Sequence, residues 1–342
     1  MLPTTLQNTL VDSVRRDLMK RLFGLAAGAS IMPAMLSQPV FAAARGPAVP
    51  DQKAVQISEH LYVLYARGGF PSKENQGFFA NVSFVKTAKG TVVIDSGTSA
   101  QIGEMALRVI QKTTHQPVIA VINTHFHGDH WLGNDAMHKA FPSAPIYAHP
   151  NCIKSIKLAT GQEWLVQMMT ATDGMIEGTT ITPPNTPVNH GDELKFGDVT
   201  LRIHHYGQAH TPVDIMVEII EDKAVLVGDV AMNKRIANME DGSFSGTFKV
   251  YDGLEKNAPD SLWIPAHGMP DRRLLINNRE LLGGIYDTAL KAMKSGKSLD
   301  EAIVLVTQEP RVKAFANDTV GFAESIGKFA SIAYVEAEQN AF

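Results

Sequence analysis

The run His125-Phe126-His127-Gly128-Asp129-His130 limits what this chain can fold into more than any other stretch. Imidazole nitrogens and carboxylate oxygens are ligands for zinc and similar divalent ions, and four of them fall within six residues. One helix cannot aim all four at one point. At about 100° per residue His127 and His130 share a face and His125 points away. A loop can gather them, with Gly128 freeing the backbone to turn. The apolar run Pro117–Ile122 that leads in reads as a buried strand, so the run sits where a strand ends, on a rigid support.

Further potential ligands follow apolar strands later in the chain: His210 in Gly207-Gln208-Ala209-His210-Thr211, Asp229 after Leu226-Val227-Gly228, and His267 in Pro265-Ala266-His267-Gly268. Strand ends on one sheet edge can converge on a point. The pattern around them predicts strands at Ala54–Ile57, Leu61–Tyr65, Phe78–Val85, Thr91–Ile94, Ile146–Ala148, Glu193–Phe196, Val199–His205, Ile215–Ile220, Ala224–Val227 and Leu262–Ile264. Helical spacing is expected over Ser99–Lys112, Gly133–Phe141, 151–170, Leu274–Lys294, Leu299–Thr307 and Asp318–Ala337, and 171–190 reads as a loop. Both halves run strands first and helices after. That order suggests two β-rich layers faced by helices.

His-x-His-x-Asp-His, then Gly-x-Ala-His-Thr, then Gly-Asp after a strand, then Pro-x-His-Gly, resembles the metallo-β-lactamase-fold superfamily over residues 54–270. The resemblance implies an α/β fold, a four-layer αββα sandwich with metals at one edge. It implies two zinc ions, with iron or manganese as alternatives. His125, His127 and His210 would hold the first ion and Asp129, His130 and His267 the second. Asp229 would bridge them, and Asp129 would have a catalytic role beside the metal-bound hydroxide. Thr124 and Asp95 are candidates to support the metal-bearing loop. An aspartate at position 229 is expected of glyoxalase II and lactonase-like members, which favours ester, thioester or lactone hydrolysis over dedicated β-lactam cleavage; the function expected is hydrolysis of an ester, thioester, lactone or amide bond of a small molecule. β-Lactamase activity, a mononuclear iron enzyme like persulfide dioxygenases, and a non-catalytic metal-binding module are the alternatives.

Trp131, next to the run, is a candidate substrate contact. Phe70, Phe78, Phe79, Trp164, Met168 and Met169 either wall a cavity or pack the body. Lys234 and Arg235 either bind an anion or form a solvated pair.

The N-terminus carries Ser13-Val14-Arg15-Arg16-Asp17-Leu18-Met19-Lys20, an apolar stretch Leu22–Leu36 and small residues Ala42–Ala44. That order is an export signal, and it resembles a Tat signal. Residues 1–44 would be removed after the Tat translocase carries the protein to the periplasm, leaving 45–342 as one domain with a helical C-terminal segment. The apolar stretch is short and broken by Gly and Pro, so no membrane span is expected in what remains. The net charge of −4 would become −6, since four basic and two acidic residues go. No basic excess supports nucleic-acid binding. Cys152 is the only cysteine, so an intramolecular disulfide is excluded and inert packing is its ordinary role.

Overall fold

The computed structural model describes residues 45–341, so the export-signal reading falls outside the described residues. Seven strands form one sheet in sequence order: β1 (Ala54–Gln56), β2 (Leu61–Leu64), β3 (Val82–Thr87), β4 (Gly90–Ile94), β5 (Val118–Ile122), β6 (Ile146–Ala148) and β7 (Thr186–Pro187). Five form the other, in the order β12-β11-β10-β9-β8: β8 (Glu193–Lys195), β9 (Thr200–His204), β10 (Met216–Ile219), β11 (Ala224–Gly228) and β12 (Leu262–Pro265).

Period-two alternation decides which side chains meet. Val92 and Ile94 of β4, Ala120 and Ile122 of β5, and Leu61 and Val63 of β2 face Leu201, Ile203, Val217, Ile219 and Leu226 of the second sheet. Their odd neighbours Val93 and Val121 turn outward onto α1 (Ala100–Thr114), meeting Ile102, Met105, Ala106 and Val109. On the other side Val225 and Val227 turn out onto Val250, Tyr251 and Leu254 of α6 (Phe244–Asn257). Helix, sheet, sheet and helix make the αββα sandwich that the motif order implied. Ser99 caps α1 with its side-chain oxygen on the Ile102 N–H, one residue from where the spacing put the start.

Five local readings are corrected. Phe78 and Phe79 lie outside β3, which begins at Val82. The Phe79 carbonyl and the Asn81 N–H are taken instead by the loop containing His267. The helix expected over 151–170 is two, α4 (Pro150–Lys157) and α5 (Ala159–Ala171), broken at Leu158, whose ψ is −144°. At Gly161 a Cβ would come within 2.3 Å of the Ile156 carbonyl oxygen, so the two helices touch backbone to side-chain-free backbone. The motif is loop only through His127; Gly128–Trp131 form one helical turn, α2. And 171–190 is not loop throughout, since Thr186–Pro187 pair with β6 as β7; α6 lies in a stretch without a clear apolar period, which the pattern leaves unassigned.

The strands β4, β5 and β6 run parallel, as do β11 and β12, so their carboxyl ends share one edge. The segments after them carry Asp95, His125–His130, Asp229 and His267. Beyond α2 and α3 (Asn134–Ala140), the C-terminal helices α7 (Leu274–Lys294), α8 (Leu299–Gln308), α9 (Pro310–Lys313) and α10 (Phe322–Gln339) pack on one another and on Met232, Ile236 and Phe244. No helix of the described residues is long and apolar enough to cross a membrane.

Candidate metal centre

The seven nominated ligands meet at that edge. They fall into two groups, His125, His127, His210 and Asp229, and Asp129, His130, Asp229 and His267, each with its ligand atoms within 4.8 Å of one another. All seven are buried. Asp229 belongs to both groups. Its Oδ2 lies 3.9 Å from His125 Nε2, 3.5 Å from His130 Nε2, 3.5 Å from His210 Nε2 and 3.4 Å from His267 Nε2. Asp129 Oδ2 sits 3.3 Å from His130 Nε2 and 3.2 Å from His267 Nε2. Ligand bonds of about 2 Å at tetrahedral angles separate donor atoms by roughly 3.3 Å, so these spacings suit a shared cation.

Donors arranged to hold a cation should have no protein partner on their inner side, and three atoms meet that test. His125 Nε2, His130 Nε2 and Asp229 Oδ1 are buried without a hydrogen-bond partner. The far side of each ring is engaged. His130 Nδ1 faces Asp95 Oδ2 at 2.8 Å. Thr124 Oγ1 donates to the same oxygen, at 2.8 Å, and so accepts from His125 Nδ1 at 3.0 Å. His210 Nδ1 donates to the Asn238 carbonyl at 2.7 Å and His267 Nδ1 to the Phe79 carbonyl at 2.9 Å. His127 Nε2 meets Asp241 Oδ2 at 3.2 Å. Such outer partners fix the ring tautomer and point a lone pair inward. Asp95 holds its post at φ 55°, a left-handed conformation rare outside glycine.

The electrostatics have two halves. Burial, then the neighbouring imidazoles, hold His125 well below its ordinary value and His210 at about 3, so both are neutral. Burial also opposes charge on Asp129 and Asp229, but the histidines against them hold both carboxyls well below the usual range. The same contacts outweigh burial at His130, raised well above 6.5, and at His267, raised to about 9. The two buried carboxylates demand positive charge, which protons on His130 and His267 or a divalent cation can supply.

A cavity of about 270 Å³ opens over the groups. Phe70, Phe79, Trp164, Met168 and Phe329 wall it, with Arg235 and Lys328 as its cationic groups. Trp131 is not in that wall. It has no exposed surface, and its indole N–H donates to the Phe126 carbonyl at 2.8 Å. One helical step past His130 turns it into the apolar cluster beneath the loop, so its nomination as a substrate contact is corrected. Phe78 is likewise core. Arg235 lies 4.3 Å over the Phe70 ring and donates to the Gly69 carbonyl, while Lys234 is exposed. Cys152 is buried, and burial pushes its thiol up, away from thiolate chemistry. Asp241 had no signal in the sequence, since it follows no strand and joins no motif.

A family model for the metallo-beta-lactamase superfamily matches residues 75–305, well over half of the chain. The metallo-beta-lactamase type 2 of Bacillus sp. (strain 170) is 22% identical over 234 residues, covering 66% of this chain and 80% of that protein. Among solved structures, a metallo-beta-lactamase from Pontibacter korlensis superposes with a TM-score of 0.54 at 20% identity, covering 68% of this chain and 98% of that one. One from Hirschia baltica gives 0.51 at 20% identity, covering 67% and 96%. On the family match, with the fold and the edge-clustered donors in agreement, this chain belongs to the metallo-beta-lactamase superfamily.

Proposed function

We propose that the protein is a hydrolase with a dinuclear zinc centre that cleaves an ester, thioester, lactone or amide bond of a small molecule. The observation that carries this reading is Asp229, one buried carboxylate common to two adjacent donor groups. When bound, two divalent cations supply a water with a pKa near 7 and a Lewis acid for the carbonyl oxygen. His125, His127, His210 and Asp229 would hold one cation, and Asp129, His130, Asp229 and His267 the other. Asp129 has a second task. Its carboxylate faces the same space as Asp229, is held ionised, and can orient an attacking water, take that water's proton and pass it to the leaving group.

Arg235 supports a substrate class. Among the described residues it has no carboxylate within ion-pair distance, it is one of the residues lining the cavity, and one of its guanidinium nitrogens is held by the Gly69 carbonyl. A substrate whose acyl part carries a carboxylate or other anion would complete it. The aromatic walls suit an apolar remainder. A second reading, β-lactam cleavage, is favoured by the names of the relatives and is itself compatible with an anionic substrate. A hydrolysis panel of thioesters, lactones, aryl esters and nitrocefin, run with and without chelator, separates them. Turnover confined to nitrocefin, whose scissile bond is a strained cyclic amide, would overturn the ester, thioester and lactone reading in favour of β-lactam cleavage. Turnover that survives metal removal would overturn the metallohydrolase reading as a whole.

The reading includes export. Residues 1–44 would direct the folded protein through the Tat translocase to the periplasm. Lysines in place of Arg15 and Arg16 are expected to keep the full-length chain in the cytoplasmic fraction.

A further inference from the structure

Four of the five clustered histidines have their outer nitrogen held by a carbonyl or by the buried Asp95–Thr124 pair. His127 alone relies on a half-exposed side chain, the carboxylate of Asp241. We infer that Asp241 is a positioning residue for metal binding: it keeps the His127 proton on Nε2, and without it that proton disables two ligands at once. The inference rests on the metal reading given above.

His127 Nδ1 faces His210 Nε2 at 3.0 Å, and these are the inward atoms of both rings. His210 donates from Nδ1 to the Asn238 carbonyl, so its Nε2 carries the lone pair. A neutral His127 has one proton to place. On Nε2 it is donated to Asp241, and Nδ1 and His210 Nε2 both present lone pairs to a cation. On Nδ1 it is donated to His210 Nε2 across 3.0 Å, and one hydrogen bond occupies both ligand atoms. A carboxylate 3.2 Å from Nε2 selects the first state, because a charged acceptor binds an N–H about twice as strongly as a neutral one. Asp241 is not itself a ligand, since it lies on the opposite side of the ring from the donor group.

The segment bearing Asp241 is clamped on two sides. Gln208 Nε2 donates to the carbonyls of Asp241 and Gly242, and the Ser243 N–H donates to the Ala209 carbonyl, tying the segment to the one that carries His210. Lys328 of α10 pairs with Glu240 at 2.7 Å, and Glu336 of α10 accepts from the N–H groups of Phe244 and Ser245. The helix α10 lies past residue 305, where the family match ends. The tautomer of one ligand in the shared core is thus set by a loop anchored to a segment outside it.

The test uses the purified protein, Asp241→Ala and Asp241→Asn. Long-range nitrogen–proton NMR on metal-free protein reads the His127 tautomer, and competition with a chromophoric chelator reads Zn2+ affinity. The expected result is an Nε2–H ring in the wild type and an Nδ1–H ring in Asp241→Ala. Zn2+ affinity in one of the two groups is expected to fall about 10- to 100-fold. Asp241→Asn should restore part of the loss, because its amide oxygen still accepts the Nε2–H. A merely structural role would not move the tautomer. An Nδ1–H ring in the wild type, or Zn2+ affinity unchanged in Asp241→Ala, overturns the inference. A wild type that binds no Zn2+ overturns the metal reading instead, and the tautomer measurement still decides the role of Asp241.

Discussion

At the residue scale, Gly133 shows how closely the metal-bearing turn is set against the sheet. A Cβ there would lie 2.0 Å from the Ser96 carbonyl oxygen, which is backbone and cannot swing away. Gly133→Ala is expected to destabilise the protein by about 1–3 kcal/mol, the range for overpacking a close-packed site, read from chemical denaturation. Arg235→Met should lower kcat/KM for substrates with an anionic acyl part by roughly 10- to 100-fold, since a hydrogen bond to a charged group contributes about 1.5–3 kcal/mol. Matched neutral substrates should hardly change, and equal losses on both would contradict the anion role. The seven clustered residues were legible because each is a ligand type in a segment that follows an apolar strand. Asp241 was not, because its meaning comes from segments brought together only by folding; Arg235 was named beside Lys234 as an anion contact, but only the fold separates the two, placing Arg235 at the cavity and leaving Lys234 exposed. Trp131 misled by adjacency, since a helical turn sends consecutive side chains to different sides.

Elements carry the next level. The edge opposite the metal centre is clipped across the two sheets. His60, before β2, donates from Nδ1 to Asp222 Oδ1 at 2.7 Å, in the β10–β11 turn, and Ser58 bonds the same carboxylate. Burial alone would lower the His60 pKa, but Asp222 outweighs it and the net shift is upward. A folded pKa raised above the unfolded value contributes stability that is fully present below about 6.5 and lost as pH rises through the folded value. His60→Ala should therefore cost about 1–2 kcal/mol at pH 6 and less in alkaline buffer. A gap in Tm between the two proteins that widens as pH rises would contradict this. Most strands were legible because a buried strand is an unbroken or alternating apolar run, as Val118–Ile122 is. The break at Leu158 was not, since an apolar residue at 64% exposure looks like any helix position until its neighbours are known.

For the whole molecule, the sandwich and its edge follow from strand order, while the C-terminal helices add a layer that reaches back to the metal loop. Glu336 is the hinge of that reach, accepting from the N–H groups of Phe244 and Ser245 at the start of α6. Glu336→Ala is expected to lower stability by about 1 kcal/mol, the scale of a lost helix cap. If Asp241 positions His127, it should also weaken metal retention. Unchanged retention would separate α10 from the centre. The central claim is that two adjacent donor groups share Asp229 and hold two cations. The most direct measurement is the metal content of the purified protein by mass spectrometry, beside that of His267→Ala. The wild type is expected to hold about two divalent ions per chain and the variant about one. A single iron in the wild type with oxygen consumed in turnover, or no bound metal in an active protein, would contradict it.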